Sequence, residues 1–136
     1  MLGKVISAAI ILLIGTPAMA AVPTLSGKYV YTWSESCVST GGTSVAHETG
    51  IATFNAATKM VSMSGYTAKG SPPTLQSFSG SGSYSNTATT LTLAGTTYRA
   101  FYGKVVGGVA TYVSYIAVVP GSGGAKCADQ AWLSLQ

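Results

Sequence analysis

The sequence predicts an all-β domain of eight antiparallel strands in up-and-down order, closed into a β-barrel by a Cys37–Cys127 disulfide. Three observations lead there. No window holds apolar residues at helical spacing, whereas short alternating runs recur, broken by Gly, Pro, Asn and Ser. Nearly every break is short, so strands adjacent in sequence should pair as antiparallel neighbours. The two cysteines stand at the end of the first strand and the start of the last. A closed meander brings those positions together and removes the two long edges an open sheet would leave. A β-sandwich stapled from loop to loop suits the same strand spacing and is the alternative.

The predicted strands are residues 27–35, 44–54, 59–67, 74–84, 89–93, 97–105, 109–119 and 127–135. The first carries Tyr29, Tyr31 and Trp33 on one side of an alternating run. Between the second and third, Asn55-Ala56-Ala57-Thr58 reads as a four-residue hairpin loop in which Asn turns the backbone. Ser71-Pro72-Pro73 cannot donate to a ladder and so separates the third strand from the fourth. Gly107-Gly108 supplies the positive φ that a tight hairpin demands, and Gly121-Ser122-Gly123-Gly124 links the last two strands flexibly.

Placing Cys37 opposite Cys127 sets a register for the seam. Glu35 then faces Asp129, Trp33 faces Ala131, Tyr31 faces Leu133 and Tyr29 faces Leu135. The apolar partners fall on one face, and only Val30 and Trp132 break the polar character of the other. A slip of one residue would turn one strand inside out, so this agreement supports the register.

Residues 1–20 carry Lys4, an apolar stretch over residues 5–14, Pro17 and Ala18-Met19-Ala20, the layout of a cleaved secretory signal peptide. The apolar part is about ten residues against the roughly twenty of a membrane-spanning helix. Residues 21–136 are then one β-barrel domain, secreted or periplasmic, in which an isolated cysteine pair is most simply a disulfide. The formal net charge is +4, with the cations spread singly along the chain, so no nucleic-acid partner is expected. Stable membrane insertion of the remaining chain is not expected either, because Thr, Ser and Gly interrupt both faces of the strands.

Catalytic material is scarce: one His, three carboxylates and no thiol outside the expected disulfide. His47 has no nucleophile turn to serve, and His47 beside Glu48 lacks the second His of a helix-borne zinc motif. No enzyme activity, metal or cofactor is expected. The one constellation is positional: Glu35 and Asp129 at one mouth of the barrel, two carboxylates that raise each other's proton affinity unless a cation lies between them. His47 joins them if the first hairpin centres on Gly41, and Glu48 takes that side if Gly41-Gly42 is the turn. The mouth is either a recognition site for a cationic or hydroxyl group or a rim neutralised by Lys126 or Arg99. Tyr98, Phe101, Tyr102, Tyr112 and Tyr115 form a second aromatic group, read as core and ordinary surface, or as a cavity wall or flat patch for partners or sugars.

Leu25-Ser26-Gly27-Lys28-Tyr29 resembles the G-x-W opening of lipocalins and the first strand of avidin-like proteins, with Tyr29 where the family usually has Trp. Thr49-Gly50-Ile51-Ala52-Thr53-Phe54 and Phe78-Ser79-Gly80-Ser81-Gly82-Ser83-Tyr84 resemble small exported meander barrels of bacteria. The resemblance, to calycin-type barrels, implies a ligand cavity inside and identifies no ligand.

The expected function is a non-enzymatic binding module for a small, partly apolar ligand, with Tyr29, Tyr31 and Trp33 as walls and Glu35, Asp129 and His47 as polar anchors. The alternative is a structural or surface-interaction protein whose barrel is filled by side chains, with a protein partner or a second copy as its counterpart. A secreted enzyme inhibitor ranks below both.

Overall fold

The structure, a computed structural model, describes residues 20–70 and 72–136. The expected signal peptide, apart from Ala20, and Ser71 of the expected Pro-rich break lie outside the described residues. All eight strands form: β1 (Gly27–Ser39), β2 (Gly42–Asn55), β3 (Met60–Lys69), β4 (Thr74–Asn86), β5 (Thr90–Leu93), β6 (Thr96–Val106), β7 (Val109–Pro120) and β8 (Lys126–Leu135). Each pairs antiparallel with the next, and β8 returns to β1, so the order β1 to β8 closes into a ring.

The turns follow the local chemistry. Asn55 Oδ1 accepts hydrogen bonds from the amides of Ala57 and Thr58, at 3.0 and 3.1 Å, which folds the β2–β3 loop. Gly107 and Gly108, with φ of 57° and 81°, make the β6–β7 turn. The segment before β8 is ordered as a 3-10 turn, Ser122–Gly124, where the sequence suggests only a flexible link.

The seam takes the register set by the cysteines. Cys37 pairs with Cys127, Glu35 with Asp129, Trp33 with Ala131, Tyr31 with Leu133 and Tyr29 with Leu135. A disulfide joins Cys37 to Cys127 across a sequence separation of 90.

The expectation of a regular up-and-down β-barrel is corrected by the wall and by its contents. Strand β5 has four residues and meets β4 only through Tyr84, Ser85 and Asn86. Residues 74–83 of β4 therefore have a strand partner on the β3 side alone. On the outside, one cleft of about 470 Å3 is shared by residues of β8, β1, β2, β3 and β4, with Trp132 and Tyr66 among its walls. The facing walls also touch: Tyr31 of β1 packs edge-on to Phe78 of β4, ring centroids 6.4 Å apart. The ring closes as the layers of a sandwich do, face packed on face, with no open lumen through its length.

One end is plugged. Residues ahead of β1 cross beneath it, where Thr24 bridges to Val109 and Leu25 is fully buried. Tyr84 donates through its hydroxyl to the Leu25 carbonyl at 2.7 Å, and the Asn86 amide donates to Pro23 O at 2.7 Å. Above the plug, Tyr29, Phe54 and Tyr84 stack edge-to-face, with centroids 5.3 and 5.0 Å apart, among Leu91, Val113 and Leu133. The core thus occupies the plugged end and the middle, leaving the disulfide end to polar side chains.

Candidate functional site

The alternation of β1, β2 and β8 decides what faces inward at the disulfide end. Odd positions of β1 and β8 point in, which places Glu35 and Asp129 inside as a cross-strand pair. The β1–β2 hairpin pairs Ser39 with Gly42, so its turn is Thr40-Gly41, one step short of the first alternative and two short of the second. Glu48 consequently lies opposite Trp33 on the inner face, and His47 lies opposite Ser34 on the outer face. The expected place of His47 at the mouth is corrected: it lines the outer cleft with Thr32, Thr49 and Tyr66.

The chain has three carboxylates, and all three are thus inside one end of the ring. Their surroundings disfavour charge. Burial first, then the charge of Glu35 and a hydrogen bond with Glu35, hold the Asp129 carboxyl above its usual range. Burial likewise raises Glu48, with Lys69 opposing and Glu35 adding to the effect. Lys69, paired with Ala46 across β2–β3, is the cation that acts here, while Arg99 and Lys126 are exposed on the outer face.

Tyrosine hydroxyls complete the polar end. Tyr98 and Tyr115 pack edge-on at 4.8 Å. Burial raises the pKa of both, with Asp129 acting on each and Glu48 on Tyr115. Tyr31 is raised by burial and by the charge of Glu48. Its hydroxyl and Asp129 Oδ1 are both buried and have no hydrogen-bond partner. A chamber of about 270 Å3 is lined by Glu48 and Thr96 together with Trp33, Met63, Tyr98 and Tyr115, and neither Tyr31 nor Asp129 borders it.

The three expected aromatic walls have separate fates. Tyr29 is part of the packed core, its hydroxyl donating to Ala110 O at 2.6 Å. Tyr31 sits at the boundary between core and polar end, and Trp33, half-buried, borders the chamber. Sequence reasoning missed Tyr98, Tyr115 and Lys69 as members of this group. Their inward parity was legible, but which height of the ring they reach depends on the stagger of β3, β6 and β7.

The outer face carries a second feature. Following the ladder pairs from β6 to β3, Phe101, Ser114, Trp132, Thr32, Thr49 and Tyr66 form one row around the outside. Phe101, Trp132 and Tyr66 are all exposed. Trp132 stands between the cleft of about 470 Å3 and another of about 320 Å3 that includes Phe101 and Ile116.

Among the described residues, one group of three His, Cys, Asp or Glu ligand atoms lies within 4.8 Å of one another: Glu35, Cys37 and Cys127. Both sulfurs belong to the disulfide, so this is not a metal centre. Among the same residues no helix is long and apolar enough to cross a membrane, which says nothing of strands. Comparison with protein-family models, curated proteins and solved structures finds no match. The resemblance to lipocalins, avidin-like proteins and bacterial meander barrels is thereby corrected: no relative supports it, and the middle of the ring is packed where that family would hold a ligand.

Proposed function

We propose that the chain is a non-enzymatic surface-interaction protein in which the filled, disulfide-closed ring is the scaffold and the outer aromatic row is the working surface. One observation carries this reading. Aromatic burial stabilises a fold, yet Trp132 is 41% exposed and Phe101 65% exposed, in a common row, while the plugged end and the middle of the interior are already packed. Strand spacing puts Phe101 about 10 Å from Trp132 and Tyr66 about 14 Å beyond it along the row. Between them stand Ser114, Thr32 and Thr49, with His47 and Gln130 beside the larger cleft. Ring faces alternating with hydroxyl, amide and imidazole groups suit an extended, hydroxyl-rich polymer such as a polysaccharide, whose C–H faces stack on aromatics while its hydroxyls hydrogen-bond.

Affinity electrophoresis through gels containing a panel of soluble polysaccharides tests this. The expected result is retardation by at least one polymer, lost in Trp132→Ser and Tyr66→Ser, with both variants melting as cooperatively as the wild type. Migration unaffected by every polymer, or retardation that survives the two substitutions, overturns the reading.

A further inference from the structure

The short β5 leaves two stretches of strand edge in the ring, and their chemistry differs. Beyond Ala100, β6 has a strand partner on the β7 side alone. That stretch carries Lys104 and is broken by register shifts around it, two features that keep a strand edge from pairing with another chain. Residues 74–83 of β4 have neither. Their pairing with β3 runs without a shift from Thr74 to Ser83, and they include no Lys and no Pro. Residues 74–81 are all exposed except Phe78, which is half-buried.

Hydrogen bonds at the end of β4 fix the direction of its free groups. The Tyr84 amide donates to Lys59 O, on the β3 side, at 2.8 Å, and Ser83 O accepts from the Ala94 amide, on the β5 side, at 2.9 Å. Backbone groups alternate sides along a strand, so those of Leu75, Ser77, Ser79 and Ser81 point away from β3. Among the described residues no strand pairs with them there. Each offers one donor and one acceptor.

A row of alternating N–H and C=O groups is complementary to an extended polypeptide, and its arithmetic selects the same strand of a second copy. With Phe78 of one copy opposite Phe78 of the other in an antiparallel pair, Leu75 meets Ser81 and Ser77 meets Ser79 in both directions. Every free donor then finds an acceptor. Centring the pair on Ser77 instead sets Ser81 against Pro73, which has no N–H, and centring it on Ser79 sets Leu75 against Ser83, whose carbonyl Ala94 already holds. The two Phe78 side chains lie on one face at a close, non-hydrogen-bonded position, where each covers the exposed part of the other. Residues 74–83 carry no charge, and joining edge to edge sets the basic outer faces side by side rather than face to face.

We propose that the protein forms a two-fold dimer through the free edge of β4, with the axis at Phe78. Both copies use the same edge and use it up, so assembly stops at two. A single strand pair is small beside the ~1,200–2,000 Å2 of stable complexes, so the dimer is weak and concentration-dependent. It does not depend on what the outer aromatic row binds.

The test is sedimentation velocity of the whole protein over a range of concentrations at about 0.15 M salt, where repulsion between exposed charges is screened beyond about 8 Å. A monomer–dimer equilibrium is expected, shifting to dimer as concentration rises. Ser79→Pro removes an edge N–H that β3 does not use, and the two-fold axis doubles the loss, so dimerisation should weaken about tenfold or more. Ser79→Ala, which keeps the N–H, should dimerise as the wild type does. Phe78→Cys should form a disulfide between copies on oxidation, because facing Cα atoms at about 4.5 Å are within reach of one. Gln76→Cys, set opposite Gly80, should not, and this pair decides the matter if Ser79→Pro fails to fold. A wild type that stays monomeric throughout, or that grows beyond two copies, overturns the proposal. So does dimerisation unchanged in a cooperatively melting Ser79→Pro, or crosslinking through Gln76→Cys as ready as through Phe78→Cys.

Discussion

The hydroxyl of Tyr29 donates a 2.6 Å hydrogen bond to the carbonyl oxygen of Ala110, tying β1 to the start of β7 across the interior. Tyr31, two residues along the same strand face, has a hydroxyl as deeply buried but without a partner. Removing the first leaves a buried carbonyl unsatisfied, so Tyr29→Phe should destabilise the protein by about 1–3 kcal/mol. Tyr31→Phe removes an orphan and should be neutral or stabilising by a few tenths of a kcal/mol to about 1 kcal/mol. Urea unfolding of both variants checks the contrast, and equal losses would contradict it.

Stability should fall as pH rises from the acidic side toward neutrality. Asp129 and Glu48 bind protons more tightly folded than unfolded, because burial, then for Asp129 the neighbouring Glu35, raises them. Their contribution is complete below the unfolded carboxyl range and is lost as pH passes through the raised folded values. The groups facing them are Glu35, Tyr31, Lys69, Tyr98 and Tyr115, with the tyrosines raised away from this window. Melts at about pH 4.5 and about pH 7.5 should therefore show the higher Tm at the lower pH, with the difference reduced in Asp129→Asn. A Tm that climbs steadily toward neutral pH would be the opposite result.

Gly50 and Gly65 face each other across β2–β3. A Cβ added at Gly50 would collide with the Ser64 carbonyl oxygen and come within 2.8 Å of the Gly65 Cα, and one at Gly65 would come within 2.7 Å of the Gly50 Cα. The backbones approach this closely beside the Tyr31–Phe78 contact, so Gly50→Ala should cost more than the ~1–3 kcal/mol typical of overpacking. Gly80→Ala, with open space at its Cβ position, should be tolerated. Guanidinium unfolding of the pair decides this.

Reduction of the Cys37–Cys127 bond releases a loop with a sequence separation of 90, which the chain-entropy account values at about 4–5 kcal/mol. The reduced protein should melt well below the oxidised one. Thiol labelling of the unreduced, unfolded chain should find none, and two reactive thiols would contradict the bond.

Much of this architecture was legible because alternation has a period of two. Once Cys37 and Cys127 are paired, counting alone sets Glu35 opposite Asp129 and puts Trp132 outward. Counting failed at the first hairpin. Thr40, Gly41 and Gly42 allow several turns, a shift of one residue swaps which of His47 and Glu48 faces inward, and Ser39 Oγ accepting the Gly41 amide at 3.2 Å goes with the Thr40-Gly41 turn. The brevity of β5 was visible, but not that it leaves most of β4 without a second partner, since Ser and Gly alternate there with little apolar pattern to specify pairing. The Leu25 plug and the Tyr31–Phe78 contact between facing walls were not readable, because both join segments far apart in sequence.

The inward turn of every acidic side chain leaves basic residues as the charged groups on the outer face of the strands. Lys28, Lys59, Arg99, Lys104 and Lys126 are all exposed, while Glu35, Glu48 and Asp129 point into the ring. Two copies approaching through their outer faces meet like charge against like charge, with no acidic patch to complement it. Dilute salt should therefore keep molecules apart although Trp132, Phe101 and Tyr66 stand bare, and raising the ionic strength shortens the reach of that repulsion to about 3 Å at 1 M. That expected repulsion follows from which way the acids face, since the same composition with Glu35 or Asp129 turned outward would offer neighbours something to hold.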